Sequence, residues 1–208
     1  MKIIDNAISI SLLEELIEFY DTQPISNVRY RDNGDIFRYM KHPLYDDHQL
    51  LPYQILNPIL NSLIGEHAFD GGHYLDAIWP FTAHFDTNEI FKSRNILTHD
   101  CKNSSNLGIL IPFSENKNFR TVFFDYFLEH ESKKKLSIPD NPTENDPSLM
   151  EMLDHHSDEE FQILKYIPVS DVAEWRMGSI IVWPRHQLHC SSNFAKFNLT
   201  KQALVLWV

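Results

Sequence analysis

The periodicity of the chain changes once, near residue 74, and that change constrains its fold more than any other feature. Before it, apolar residues recur at helical intervals; after it, they fall into short runs with the length of strands. Leu12, Leu13, Leu16, Ile17 and Tyr20 recur at helical spacing, and Ser11-Leu12-Leu13-Glu14 matches a capping box. A helix is therefore predicted to open at Ser11 and to end before Pro24. A second stripe, Ile55, Leu56, Ile59, Leu60, Leu63 and Ile64, contains Pro58, which predicts a kink or a start near that residue, and Gly65 offers a stop. Residues 2–4 read as an edge strand, while 27–48, rich in Arg, Asp and Tyr, show no clear period.

Beyond residue 74 the candidate strands are Tyr74–Pro80, Thr82–Asp86, Leu107–Phe113, Thr121–Phe127, Gln162–Pro168, Ser179–Trp183 and Gln202–Trp207. Many short strands separated by turns point to a β-sandwich or barrel, here supported on one face by the N-terminal helices. The stretch 129–160 interrupts the series with a lysine run, several prolines and an acidic segment. It reads as one long insertion, partly mobile, with a short helix near Ser148–Leu153. No repeat or linker divides the chain, so a single domain over 1–208 is expected.

With 208 residues, 43% of them apolar, the chain is long enough to bury a substantial core. Its net charge of −11 argues against binding a nucleic-acid backbone, which needs a clustered basic face. Cys101 and Cys190 form no metal-spaced pair and no disulfide framework. No signal peptide follows Met1 and no run of about 18 apolar residues occurs, so a cytoplasmic protein without a membrane span is expected.

The chemistry concentrates in two segments. In Ala83-His84-Phe85-Asp86-Thr87, residues two apart on an extended chain share a face, so His84 and Asp86 can offer a nitrogen and a carboxylate to one ion. A third ligand must come from elsewhere. In Met177–Ser192 a glycine turn leads into an apolar strand, then a loop, then His189 followed by small residues, with His186 as its rival. Two histidines and one carboxylate leave three positions open on Fe(II). A bidentate co-substrate takes two of them and O2 the last. Lys201, at the entry to the final strand, can pair with the far carboxylate of a dicarboxylate held on such an ion.

The order of helix, His-x-Asp, glycine-led strand, distal histidine and cation before the last strand resembles the Fe(II)/2-oxoglutarate-dependent oxygenases. Among these it is closest to the prolyl-hydroxylase-like and phytanoyl-CoA-hydroxylase-like groups. The opening Ile3-Ile4-Asp5-Asn6-Ala7 before the capped helix is similar to the way prolyl-hydroxylase-like domains begin. The resemblance covers residues 2–208 apart from the insertion. It implies a mainly β fold with N-terminal helices, the double-stranded β-helix (a cupin-like jelly roll), with the metal at one open end. It implies His84, Asp86 and His189 as catalytic metal ligands and Lys201 as anchor of the 2-oxoglutarate C5 carboxylate. The implied cofactors are Fe(II), 2-oxoglutarate as co-substrate, and O2; the implied reaction is hydroxylation with release of succinate and CO2.

The chain departs from the commoner pattern of arginine followed two residues later by serine or threonine, reading Lys201-Gln202-Ala203 instead. Lysine offers a point charge rather than a bidentate fork, so the anchor needs a second donor, for which Tyr74 and Thr200 are candidates. Arg94, Arg120 and Arg176 are rival anchors. Outside this set, His99-Asp100 and His155-His156 read as loop residues, Lys133–Lys135 as a solvated charge run, and the four tryptophans as core or pocket wall. Residues 29–48 and 129–160 are candidates for a rim or lid. The expected partner is a small-molecule or peptidyl substrate: a peptidyl proline, a free amino acid, a lipid and a small metabolite all fit. Two other readings accommodate the same residues, a β-helix binding module without turnover and a cupin-like metalloenzyme that uses no oxoacid.

Overall fold

The structure, a computed structural model, describes residues 1–22, 27–30, 36–39, 51–64, 79–84, 107–127, 138–154, 158–184, 187–194, 197, 199 and 201–207. For 20–21, 27–30, 36–39, 52–53, 63–64, 79–84, 158–160, Lys201 and 205–207 the description is of the backbone. The first part of the chain contributes β1 (Lys2–Ile4), α1 (Ile10–Thr22), β2 (Asn27–Tyr30), β3 (Ile36–Tyr39) and α2 (Leu51–Ile64). The rest contributes β4 (Trp79–His84), β5 (Leu107–Pro112), β6 (Arg120–Phe127), α3 (Pro147–Met150), a 3-10 turn (Glu151–Leu153) and α4 (Asp158–Leu164). It closes with β7 (Val169–Glu174), β8 (Ile180–Pro184), β9 (Gln187–Ser191) and β10 (Lys201–Trp207). The strands form two antiparallel sheets, ordered β1-β8-β5-β10-β4-β3-β2 and β7-β6-β9. From β5 onward the chain passes from the large sheet to the small one, back through β8, out to β9 and home to β10.

Strands β5 and β8 are covered on both faces, which is why they are continuous apolar runs rather than alternating ones. Successive side chains still divide between faces. On the large sheet, Ile109, Ile111, Ile180, Val182 and Leu204 face α1 and α2, meeting Leu13, Leu16, Leu56 and Leu60. Their neighbours Leu110, Ile181, Trp183 and Ala203 turn inward to meet Phe123 and Ala173 of the small sheet. The small sheet's other face packs Val122, Phe124, Leu188 and Cys190 against Met150, Leu153, Leu164 and Ile167. The described part of 138–164 thus closes this outer face.

Several elements differ from the sequence expectation. Helix α1 starts earlier than Ser11: Ser9 is the cap, its Oγ accepting from Leu12 N at 3.4 Å and its carbonyl from Leu13 N at 3.0 Å. Helix α2 runs through Pro58 rather than starting there; Pro58 lies on the exposed side, so its missing N–H is lost where water is at hand. The patternless segment after residue 27 contains the hairpin β2–β3, which extends the large sheet beyond β4. The two strands expected at 74–86 appear as one described strand, β4. Pro80 lies past the last β3 pair, Tyr39↔Phe81, where no donor toward β3 is required. The run Gln162–Pro168 is not a strand: its first residues end α4, and the strand follows as β7. Of the loop expected before His189, Gln187 and Leu188 belong to β9, and 185–186 lie outside the described residues.

Gly178 makes the turn into β8 at φ +82°, and a side chain there would approach Ile8 O to 2.8 Å, so this glycine is required. Among the described residues no helix is long and apolar enough to cross a membrane.

Candidate metal centre

Strand β9 places His189. Pairing with β6 sets His189 opposite Phe123 and Cys190 opposite Val122. Leu188 and Cys190 take the outer face, so His189 is left facing the space between the sheets. It is 9% exposed; its ring stacks on Phe123 at 5.8 Å and lies 5.0 Å from the indole of Trp183. Its Nδ1 sits 2.9 Å from the carbonyl oxygen of Gln187, two residues back on the same strand. A carbonyl only accepts, so Nδ1 carries a proton. A backbone acceptor holding the far nitrogen is how a metal-binding imidazole is fixed in tautomer and orientation. Gln187 is itself pinned, its Nε2 donating to Phe124 O at 3.1 Å and to Ser170 Oγ at 3.0 Å.

The other expected ligands come from the large sheet. His84 is the last residue of β4, opposite Ile36, while its neighbour Ala83 pairs with Lys201, the first residue of β10. The backbone therefore brings the His84 and Lys201 positions together at one end of this sheet. Asp86, Tyr74, Thr200, Arg94 and His186 lie outside the described residues, as do His99, Asp100, Cys101, Lys133–Lys135, His155 and His156. Among the described residues no three His, Cys, Asp or Glu side chains converge on a metal position.

Two rival anchors are engaged elsewhere. Arg120 reaches Glu174 across the β6–β7 pair at 3.4 Å and Met152 Sδ at 3.3 Å. Arg176 is exposed and meets Glu174 at 3.3 Å and Asp5 at 3.6 Å. Cys190 is buried on the outer face. Two residues beside His189 carry more than the sequence reading assigned. Gln187 supplies the orienting carbonyl, and the signal for it was its position two residues before the histidine on one strand face. Trp183 lies against Gly108 so closely that a Cβ there would approach its Cε2 to 2.4 Å.

No family model matches the chain, and no curated protein matches it. Solved structures do share its fold. The non-haem α-ketoglutarate-dependent epimerase SnoN from nogalamycin biosynthesis matches with a TM-score of 0.63 at 9% identity, over 99% of this chain and 76% of SnoN. SnoN in complex with Fe3+, α-ketoglutarate and nogalamycin RO gives 0.59 at 9% identity, over 99% and 77%. The non-haem α-ketoglutarate-dependent carbocyclase SnoK gives 0.51 at 9% identity, over 99% and 77%. At such identity the likeness is one of fold, and it extends along the whole described chain.

Proposed function

We propose that this chain is a non-haem Fe(II)- and 2-oxoglutarate-dependent oxygenase, one double-stranded β-helix domain spanning 1–208. His84, Asp86 and His189 are its metal ligands, and Lys201 anchors the far carboxylate of the co-substrate with Tyr74 or Thr200 as second donor. The observation that carries the reading is His189: buried on the inner face, with its Nδ1 tied to the Gln187 carbonyl, so that the tautomer and orientation of the ring are set by its own strand. The passage of the chain between two facing sheets and the fold shared with SnoN support it. A nitrogen donor so oriented suits a divalent iron completed by a second histidine and a carboxylate.

In this reading each residue has a physical task. His189 is the ligand whose ring orientation is set in advance, because Phe123 and Trp183 pack against it. The same aromatic walls keep water from the reacting space. For His84 and Asp86 to share an ion with His189, the chain must leave the β10 ladder beyond Ala83, whose pair with Lys201 is the outermost one among the described residues. Lys201 neutralises a carboxylate that would otherwise be costly to bury. When bound, iron and 2-oxoglutarate supply an O2-dependent oxidation of a substrate C–H bond, with succinate and CO2 as co-products. The substrate is an organic small molecule or a peptide side chain, and hydroxylation is the outcome assigned here.

The test is an anaerobic titration of the pure protein with Fe(II) and 2-oxoglutarate. A weak visible charge-transfer band is expected for the wild type and not for His189→Ala. A folded wild type that shows no band would sink the reading.

A further inference from the structure

Toward the Gln187 end of β9, the inner face of the small sheet changes from apolar and buried to acidic and exposed. Phe124 and Tyr126 pack in the outer cluster, so Asp125 and Phe127 turn inward, and Phe127 pairs with Gln187. On the neighbouring strand, Asp171 pairs with Phe123 and shares its inner face, while Ser170 is the extra residue of a bulge. Asp125, Ser170 and Asp171 are exposed, and Phe127 is 54% exposed. The row that carries His189 and Phe123 is buried, so the space between the sheets opens to solvent just beyond it. This opening lies before His189 on β9, whereas the connection toward Lys201 leaves the strand after it, at Ser191.

Exposed carboxylates alone are ordinary surface. What marks this opening is a buried oxygen. Gln187 is 2% exposed, and its Nε2 uses both hydrogens, on Phe124 O at 3.1 Å and Ser170 Oγ at 3.0 Å. The Ser170 hydroxyl donates in turn to Phe123 O at 3.2 Å, so it has no hydrogen left for Gln187. Oε1 is therefore buried with no donor. The amide is tied to the two residues that immediately precede Asp125 and Asp171, which places its free oxygen in the same corner of the inner face as both acids. Neither carboxylate makes an ion pair or a side-chain hydrogen bond among the described residues. Asp171 lies two strand spacings across the sheet from His189, about 10 Å, and Gln187 two residues from it along β9, about 7 Å.

A cation that carries N–H groups suits all of these side chains at once. It donates to Gln187 Oε1, its charge faces the two carboxylates, and its carbon stem lies on Phe127. An anionic group would meet only lone pairs and like charge there. We propose that this opening binds the substrate through a cationic nitrogen, an ammonium or guanidinium group, and presents to the metal a C–H bond a few bonds away from it. This rests on the oxygenase reading above and deepens it by naming the substrate class.

The experiment uses the whole 15N-labelled chain loaded with Zn(II) and 2-oxoglutarate. It is titrated with n-butylammonium, n-butyltrimethylammonium, 1-pentanol and pentanoate, which share an alkyl stem and differ in charge and in N–H donors. n-Butylammonium is expected to shift the Gln187 side-chain amide and the backbone amides of 125–127 and 170–171. It should bind at least tenfold more tightly than 1-pentanol or pentanoate, and roughly tenfold more tightly than the trimethyl cation, which has charge and no donor. Asp125→Asn and Asp171→Asn change exposed side chains; each should raise the Kd of n-butylammonium about two- to fivefold and leave that of 1-pentanol unchanged. Asp140→Asn, at an exposed acid away from the opening, should change neither. If an Asn variant does not fold, the four probes on wild type decide.

No binding of n-butylammonium, affinity equal to that of 1-pentanol, or an unmoved Gln187 amide at saturation overturns the inference; a protein that still shows the Fe(II)/2-oxoglutarate band keeps the oxygenase reading. Equal affinity for the two cations overturns the assignment to Gln187 Oε1. A loss in Asp140→Asn equal to those at the opening would trace the preference to overall charge and overturn the site. Absence of the band in folded wild type removes the oxygenase reading, and the substrate assignment with it, even where the cation binds.

Discussion

His189 and Trp183 show how single atoms set the inner face of this protein. The imidazole is held by a carbonyl two residues away on its own strand, so its tautomer is a property of β9 rather than of a distant partner. Trp183 depends on an absence: Gly108 sits opposite it on β5, and the indole occupies the volume a side chain would fill. Gly108→Ala should therefore displace the indole or the strand. The expected loss is about 1–3 kcal/mol, as for other overpacked core positions, read as a lower urea midpoint at unchanged slope. Stability equal to wild type would mean that the indole is not seated on this glycine. The histidine was singled out in the sequence because small residues follow it. The glycine was not, since nothing local marks a residue whose partner lies some 75 positions away on another strand.

At the scale of the element, the helices test where the chain's local signals lie. Ser9 rather than Ser11 caps α1, since only Ser9 Oγ faces the first free amides. Ser9→Ala should cost about 0.5–1 kcal/mol and Ser11→Ala less, compared by thermal melts. Helix α3 is capped by Asp146, which accepts from the backbone N–H of Ser148 at 2.8 Å and from its hydroxyl. The side-chain bond first and the backbone bond second hold the Asp146 carboxyl below the ordinary carboxylate range. A lowered native value means the contribution is complete above the ordinary range and is lost as pH falls through the lowered one. Asp146→Asn keeps a capping oxygen, so amide protection over 148–150 should lose this acid sensitivity while the cap persists at neutral pH. Protection that still collapses in acid would assign the effect to another group. The sequence marked this helix well. It misled at Gln162–Pro168, because a short apolar run has no period long enough to separate helix from strand. Burial of Leu164 and Ile167 against the small sheet selects the helix and its following turn.

Over the whole molecule, the two halves of the proposed site come from different sheets. His189 belongs to β9 of the small sheet, whereas His84 and Lys201 belong to neighbouring strands of the large one. Substituting the cation should separate their tasks. Lys201→Ala is expected to raise the Kd for 2-oxoglutarate at least tenfold while Fe(II) binding, followed without the oxoacid, stays within about twofold. Equal loss of both would mean that Lys201 supports the fold rather than the co-substrate. The sequence by itself determined the helical start, most of the strand-rich second half and the histidines worth testing, because these depend on periodicity and residue chemistry within a few positions. Tertiary structure decided which face of β9 is inward, where β2 and β3 join, and that the indole of Trp183 lies beside His189 on a glycine. Those features depend on register between strands distant in sequence, where a shift of one residue exchanges the two faces of a strand.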